Sequence, residues 1–212
     1  MKLVDTLAEQ ERLEAILEQN KPPVPSPCRQ LHYLLATPFR YGAPYPRGSR
    51  FRRAGFTPGV FYGSRTPATA IAELSFHRLL FFAESPGTPW PANPGEFTAF
   101  AVDLRTRAAL DLTAPPLDRD RTAWAHPTDY DACQRLADQA REAGVEVLRY
   151  ESARDPRRGL NLAVLACRAF RSHGPVEQQT WRVDFSSSGA RAICMFPEQR
   201  LEFTREDLGL GA

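Results

Sequence analysis

The chain has 212 residues, 42% of them hydrophobic and 25% charged, with a formal net charge of +2. That mix excludes a wholly disordered chain and fits one globular domain, or one domain with a small appendage. Its longest apolar run is the six residues Leu162 to Cys167, against the ~20 that a membrane helix needs, so no membrane span is expected.

Residues 5–19 predict a helix. Leu7, Leu13, Ile16 and Leu17 follow helical spacing, and four glutamates lie largely elsewhere. KPPVPSP, from Lys21 to Pro27, stops it and makes a stiff linker. Residues 1–30 thus read as a helical extension that packs on the main body or on a partner, and 31–212 as the main domain. His32 to Ala36 can be a short helix or a strand. Thr37 to Phe56 reads as a long loop rich in arginine, tyrosine and glycine, and its aromatics Phe39, Tyr41, Tyr45 and Phe51 argue against disorder.

GVFYGS, Gly59 to Ser64, is a strand pattern. Thr66 followed by Pro67 then starts a helix running to about Phe82. Further strands are expected at Phe97–Leu104, Ala109–Leu112 and Val145–Tyr150. A helix at Tyr130–Ala143 is closed by Gly144. Leu160–Phe170 is a strand or a short helix, and Trp181–Phe185 and Ala190–Phe196 flank SSSG as a hairpin. The mixture is α+β.

Arginine dominates the basic residues: all 27 are arginine except Lys2 and Lys21. A skewed genome accounts for the total, while clusters can recognise phosphate through the bidentate guanidinium fork. Cys28, Cys133, Cys167 and Cys194 show no zinc spacing. The acidic N-terminal residues lack the apolar centre of an export signal. The cysteines therefore read as reduced thiols in a cytoplasmic protein, with Cys167 in the core. His32, His77, His126 and His173 show no metal spacing, and no metal is expected.

Two constellations stand out. On a wheel of ~100° per residue, Glu73 falls inside an apolar stripe of Ala70, Leu74, Leu80 and Phe81, with His77 alongside. It is either a carboxylate paired with an arginine at the stripe's edge or one held in a half-dry cleft for function. Arg40, Arg47, Arg50, Arg52 and Arg53 lie within fourteen residues. Such a loop can be solvated, the reading favoured for Arg52 and Arg53. It can also grip a pyrophosphate, or stack single-stranded nucleic acid with its aromatics. The small net charge weighs against the last. Ser152 sits at a strand end without a G-x-S-x-G elbow, so it is not expected to be a hydrolase nucleophile.

GSRFRRAGFTPGVFYGSRTPATAIAEL (Gly48 to Leu74), YESAR (Tyr150 to Arg154) with Asn161, and FRYG around Arg40 and Tyr41 together resemble the RES-domain family over roughly residues 36–200. The resemblance implies an ADP-ribosyltransferase-like fold with an NAD cleft between small sheets. It implies Arg50, Glu73 and Ser152 as the catalytic set, with Arg40, Tyr41, Tyr62 and Asn161 on NAD. NAD is then the substrate, cleaved at the nicotinamide–ribose bond by phosphorolysis or hydrolysis, with inorganic phosphate as a co-substrate in the first case and no resident cofactor. The resemblance also implies a toxin whose partner is an antitoxin with a helix-turn-helix DNA-binding domain, and no direct nucleic-acid binding. The alternatives are an ADP-ribosyltransferase modifying a macromolecule and a non-catalytic nucleic-acid module.

Overall fold

The computed structural model describes residues 5–43 and 46–211; Tyr45, one of the aromatics expected to order the arginine loop, lies outside them. Thr6 opens α1 (Leu7–Gln19) with a reciprocal capping box to Glu9. No α1 residue is buried, and Leu7, Ile16 and Leu17 stand exposed. The helix is tied down at its end instead. Glu18 pairs with Arg40 at 2.6 Å, and Arg40 Nε donates to the Pro22 carbonyl.

The reading of four reduced thiols is corrected here. Cys28 and Cys167 form a disulfide with their Cα atoms 5.4 Å apart, across a sequence separation of 139. Two short 3₁₀ turns, Ser26–Cys28 and Cys167–Ala169, place them together against Ala36. Spacing along the chain carries no sign of that meeting. Cys133 and Cys194 are buried free thiols.

His32 caps α2 (Tyr33–Arg40) by accepting from the Leu34 N–H. Residues 37–40, read from sequence as loop, are therefore the end of a helix that contains Pro38. Then follow β1 (Phe61–Ser64), α3 (Pro67–Glu84), β2 (Gly95–Ala101), β3 (Ala109–Asp111), α4 (Arg121–Trp124) and α5 (Asp131–Glu142). The chain closes with β4 (Val147–Glu151), β5 (Leu160–Val164), β6 (Glu177–Ser186), β7 (Gly189–Met195) and β8 (Glu198–Thr204). The α+β expectation holds, with five helices and two four-stranded sheets among the described residues. No described helix is long and apolar enough to cross a membrane.

The first sheet has the order β1-β5-β4-β3, antiparallel except where β3 runs parallel to β4. The second has the order β2-β6-β7-β8, antiparallel throughout. Trp181, Val183, Phe185, Ala190, Ala192, Cys194 and Phe203 make its inner face, and Ile71, Ala72, Phe76 and Leu79 of α3 pack on it. α5 and Phe51 cover one side of the first sheet through Leu148, Ala163 and Tyr150. Phe61, Val147, Val164 and Phe170 form the core on its other side.

The stripe expected on α3 is also corrected. Its buried face runs through Thr69, Ala72, Ser75, Phe76 and Leu79, nearly opposite Ala70, Leu74 and Phe81. Nearly every side of this helix carries an apolar residue, so size alone misleads. Phe76 is buried and Phe81 exposed on the same helix, and the small Thr69, Ala72 and Ser75 fill the buried face beside Phe76 and Leu79. Glu73 therefore sits on the flank of the buried face and turns toward the first sheet.

Candidate active site

The site is built where α3 meets the ends of β1, β5 and β4. Ser64, Asn161 and Tyr150 are register partners across these three strands, so their side chains share one face. Asn161 is the hub. Its Nδ2 donates to Glu73 Oε1 at 2.7 Å, and its Oδ1 accepts from Ser64 Oγ at 2.7 Å. It also hydrogen-bonds the Tyr150 hydroxyl, whose pKa is pushed well up by burial, with Tyr62 and Glu73 adding to the effect and Arg50 and Asn161 opposing it.

Ser152 follows β4 directly. Its Oγ donates to Glu73 Oε1 at 2.7 Å and accepts the backbone N–H groups of Arg154 (3.1 Å) and Asp155 (3.0 Å). One donor and two acceptor positions are all a hydroxyl has. Ser152 thus holds Glu73 and closes its own turn, leaving no proton for a ribose or a phosphate. The turn returns to β5 through Gly159, where a Cβ would collide with Thr69 Oγ1 and Asp155 Oδ2. Glu73 consequently has Oε1 fixed by two buried donors, while Oε2 makes no hydrogen bond to a described residue.

Arg50 comes from the turn that Gly48 opens. Gly48 has φ +64° and its Cα faces the Arg52 carbonyl so closely that only glycine fits. Tyr62 pins this turn to β1: its hydroxyl accepts from the Phe51 N–H and shares a hydrogen bond with Ser49 Oγ, each at 2.9 Å. Burial of that hydroxyl raises its pKa, against the two hydrogen bonds and the charges of Arg50 and Arg141. The residue as a whole stays 38% exposed, so the hydroxyl is enclosed while the ring faces outward. Arg50 is 8% exposed; its Nη1 donates to the carbonyls of Trp124 (2.7 Å) and His126 (2.9 Å), and its guanidinium lies 4.9 Å from the Tyr130 ring centre.

Three of the other four arginines of the loop are engaged within the protein, while Arg47 is exposed. Arg40 is held by Glu18 and Pro22, with its guanidinium 5.8 Å from the Tyr41 ring centre. Arg52, expected to be solvated, donates instead to the carbonyls of Tyr41 and Thr57 and braces the loop from inside. Arg53 pairs with Asp138 at 2.8 Å.

The structure thus brings Glu73, Ser152 and Asn161 into direct contact and fastens Arg50 and Tyr62 to each other's segments. Arg40 and Tyr41 form a separate group at the end of α2. Three participants escaped the sequence reading: Ser64, Tyr150 and Arg154. Alternation was the available signal, since Ser64 lies one strand period beyond Tyr62 and Tyr150 heads the YESAR segment. His77, which the wheel places alongside Glu73, is exposed. Partial burial of its ring still lowers its pKa, with Glu73 opposing and Arg154 adding.

Volume does not single out this carboxylate. A cavity of about 830 Å³ lies on the outer face of the second sheet, between Glu96, Arg182 and Phe196. Its charges there are surface pairs such as Arg191–Asp184. A 560 Å³ cavity is lined by Ser152 and Arg154. The convergence of buried polar groups on one acid marks the site better than room does.

Residues 25–186 match the RES domain. The chain belongs to the RES domain family. The matched stretch of this RES protein contains all seven residues named from the resemblance, while α1 precedes it and β7 and β8 follow it. No curated protein matches the chain.

Proposed function

We propose that this RES protein cleaves the nicotinamide–ribose bond of NAD, in an ADP-ribosyltransferase-like cleft. The observation that carries the reading is Glu73, with Oε1 immobilised by Ser152 and Asn161 and Oε2 unengaged. Bond cleavage leaves positive charge on the ribose ring, as in glycoside cleavage. A fixed carboxylate beside that ring stabilises the charge without reorganising. Ser152 and Asn161 act as the holders of the acid, and Ser64 and Tyr150 hold Asn161. The outward ring of Tyr62 offers a stacking surface for nicotinamide. Arg50, seated on two carbonyls and a ring, supplies a fixed positive charge for the pyrophosphate or for an attacking phosphate. Arg40 and Tyr41 reach NAD in this reading only if the Glu18 contact opens.

The nucleic-acid alternative is disfavoured because Arg40, Arg50, Arg52 and Arg53 are each engaged within the protein. The test is incubation of purified protein with NAD, with and without phosphate, reading nicotinamide release. Release without phosphate marks hydrolysis, and dependence on phosphate marks phosphorolysis. Dependence on an added macromolecule marks transfer, and intact NAD under every condition rejects the proposal. We extend the proposal to toxicity relieved by a helix-turn-helix partner, which growth on induction with and without the neighbouring gene decides.

A further inference from the structure

The segment Trp124 to Tyr130, WAHPTDY, carries no role from its sequence. It nevertheless touches both arginines nearest the candidate site. The carbonyls of Trp124 and His126 accept from Arg50 Nη1, and the Pro127 carbonyl accepts from Arg154 Nη2 at 2.6 Å. His126 Nδ1 accepts the backbone N–H of Thr128 and Asp129, which folds the segment into a turn. Tyr130 closes it. Its hydroxyl donates to the Pro127 carbonyl at 3.2 Å and accepts from Arg154 Nη2 at 3.1 Å, while its ring faces Arg50 at 4.9 Å.

One side chain therefore reaches two motifs that lie far apart in sequence. Both arginines need it. Two carbonyls grip a single nitrogen of Arg50, and the Tyr130 and Tyr150 rings flank the rest of the fork at 4.9 and 6.0 Å. Arg154 is 5% exposed, and its Nε and Nη1 are buried without partners. Its place depends on the two bonds at Nη2 and on the Phe76 face, 4.2 Å away. The backbone of Arg154 in turn supplies one of the N–H groups that orient Ser152.

We propose that Tyr130 is a positioning residue of the site: its ring braces the guanidinium of Arg50 against motion, and its hydroxyl fixes Arg154 and through it the Ser152 turn. The effect on turnover rests on the NAD reading above; the effect on Arg50 itself does not. The experiment compares Tyr130→Phe and Tyr130→Leu in the full chain, with Tyr130→Met where the leucine variant does not fold. Two quantities are read: the kcat and KM for NAD, and the Arg50 Nε–H resonance, assigned by its loss in Arg50→Lys.

Tyr130→Leu stays apolar but loses both the π face and the hydroxyl. It is expected to raise KM about tenfold with a smaller change in kcat, because ground-state grip is what the ring supplies. Tyr130→Phe loses only the hydroxyl and is expected to raise KM about threefold, because Arg154 Nη2 keeps its bond to the Pro127 carbonyl. The Arg50 resonance should stay sharp with Phe and broaden with Leu. If the wild-type protein leaves NAD intact, the NAD reading fails while the resonance still decides the positioning role. A leucine or methionine variant with an unchanged Arg50 resonance overturns the proposal. So does a phenylalanine variant as damaging as the leucine one.

Discussion

The two sheets are of equal strand number and opposite character. Strands of the second sheet bury only apolar side chains, among them Trp181, Val183, Phe185 and Cys194, and their polar residues alternate outward. Buried Ser152, Arg154, Asp155, Asn161 and Arg50 all gather around the first sheet and its loops. Burying polar groups costs free energy unless each finds a partner, which explains why this region is a chain of hydrogen bonds. α3 belongs to both sides. Ile71, Ala72, Phe76 and Leu79 seat it on the apolar sheet, and Glu73 leaves its flank toward the polar one. The second sheet is thus an apolar seat for α3, and the first sheet carries the buried polar network.

Separating those roles by mutation gives the largest expected effect. Trp181 is 1% exposed in the apolar core, and Trp181→Ala should cost about 3–5 kcal/mol in chemical denaturation. Its activity per folded molecule should remain near wild type. Loss of turnover in the fraction that is still folded would show that the apolar sheet does more than support.

Glu73→Gln should do the reverse. The glutamine carbonyl can accept from both Ser152 and Asn161, so the network keeps its shape and only the charge is lost. NAD cleavage should fall by about 10²–10³ with the melting temperature nearly unchanged. A fully active Glu73→Gln would remove Glu73 from the chemistry, and an unfolded one would make it a structural acid.

The fold was legible wherever local chemistry decides it. Thr66–Pro67 marks the start of α3, Gly144 the end of α5, and SSSG the β6–β7 hairpin, because caps and turns act within a few residues. β8 was missed: the alternation in RLEFT, Arg200 to Thr204, is short and charged, and only pairing with β7 makes it a strand. The site was half legible. Family motifs brought Glu73, Ser152 and Asn161 to notice, but their mutual hydrogen bonds depend on register between β1, β5 and β4, which a single sequence does not encode locally. The Cys28–Cys167 link and the Arg52 brace are tertiary in the same sense. Tyr130 escaped because its partners lie 24 residues away at Arg154, and farther still at Arg50.

The smallest expected effect sharpens the comparison where the two sheets share α3. His77 follows Glu73 by one turn, and partial burial lowers its pKa, with Glu73 pulling the other way and Arg154 adding to the depression. The folded protein therefore binds this proton less tightly than the unfolded chain does. Above the ordinary histidine value of ~6.5 both states are neutral at this position and the shift contributes nothing to pH dependence. As pH falls through that value toward the lower folded one, the unfolded state takes up the proton first and stability is lost. His77→Gln should flatten the denaturation profile between about pH 7 and pH 5, by the share that this one group contributes. The Glu73→Gln background makes the electrostatic part separable. With the carboxylate gone, its upward pull disappears, and the His77 ring-proton titration should move to still lower pH. A midpoint that rises, or stays fixed, would mean that Glu73 does not act on His77 and that the two flanks of α3 are electrically independent.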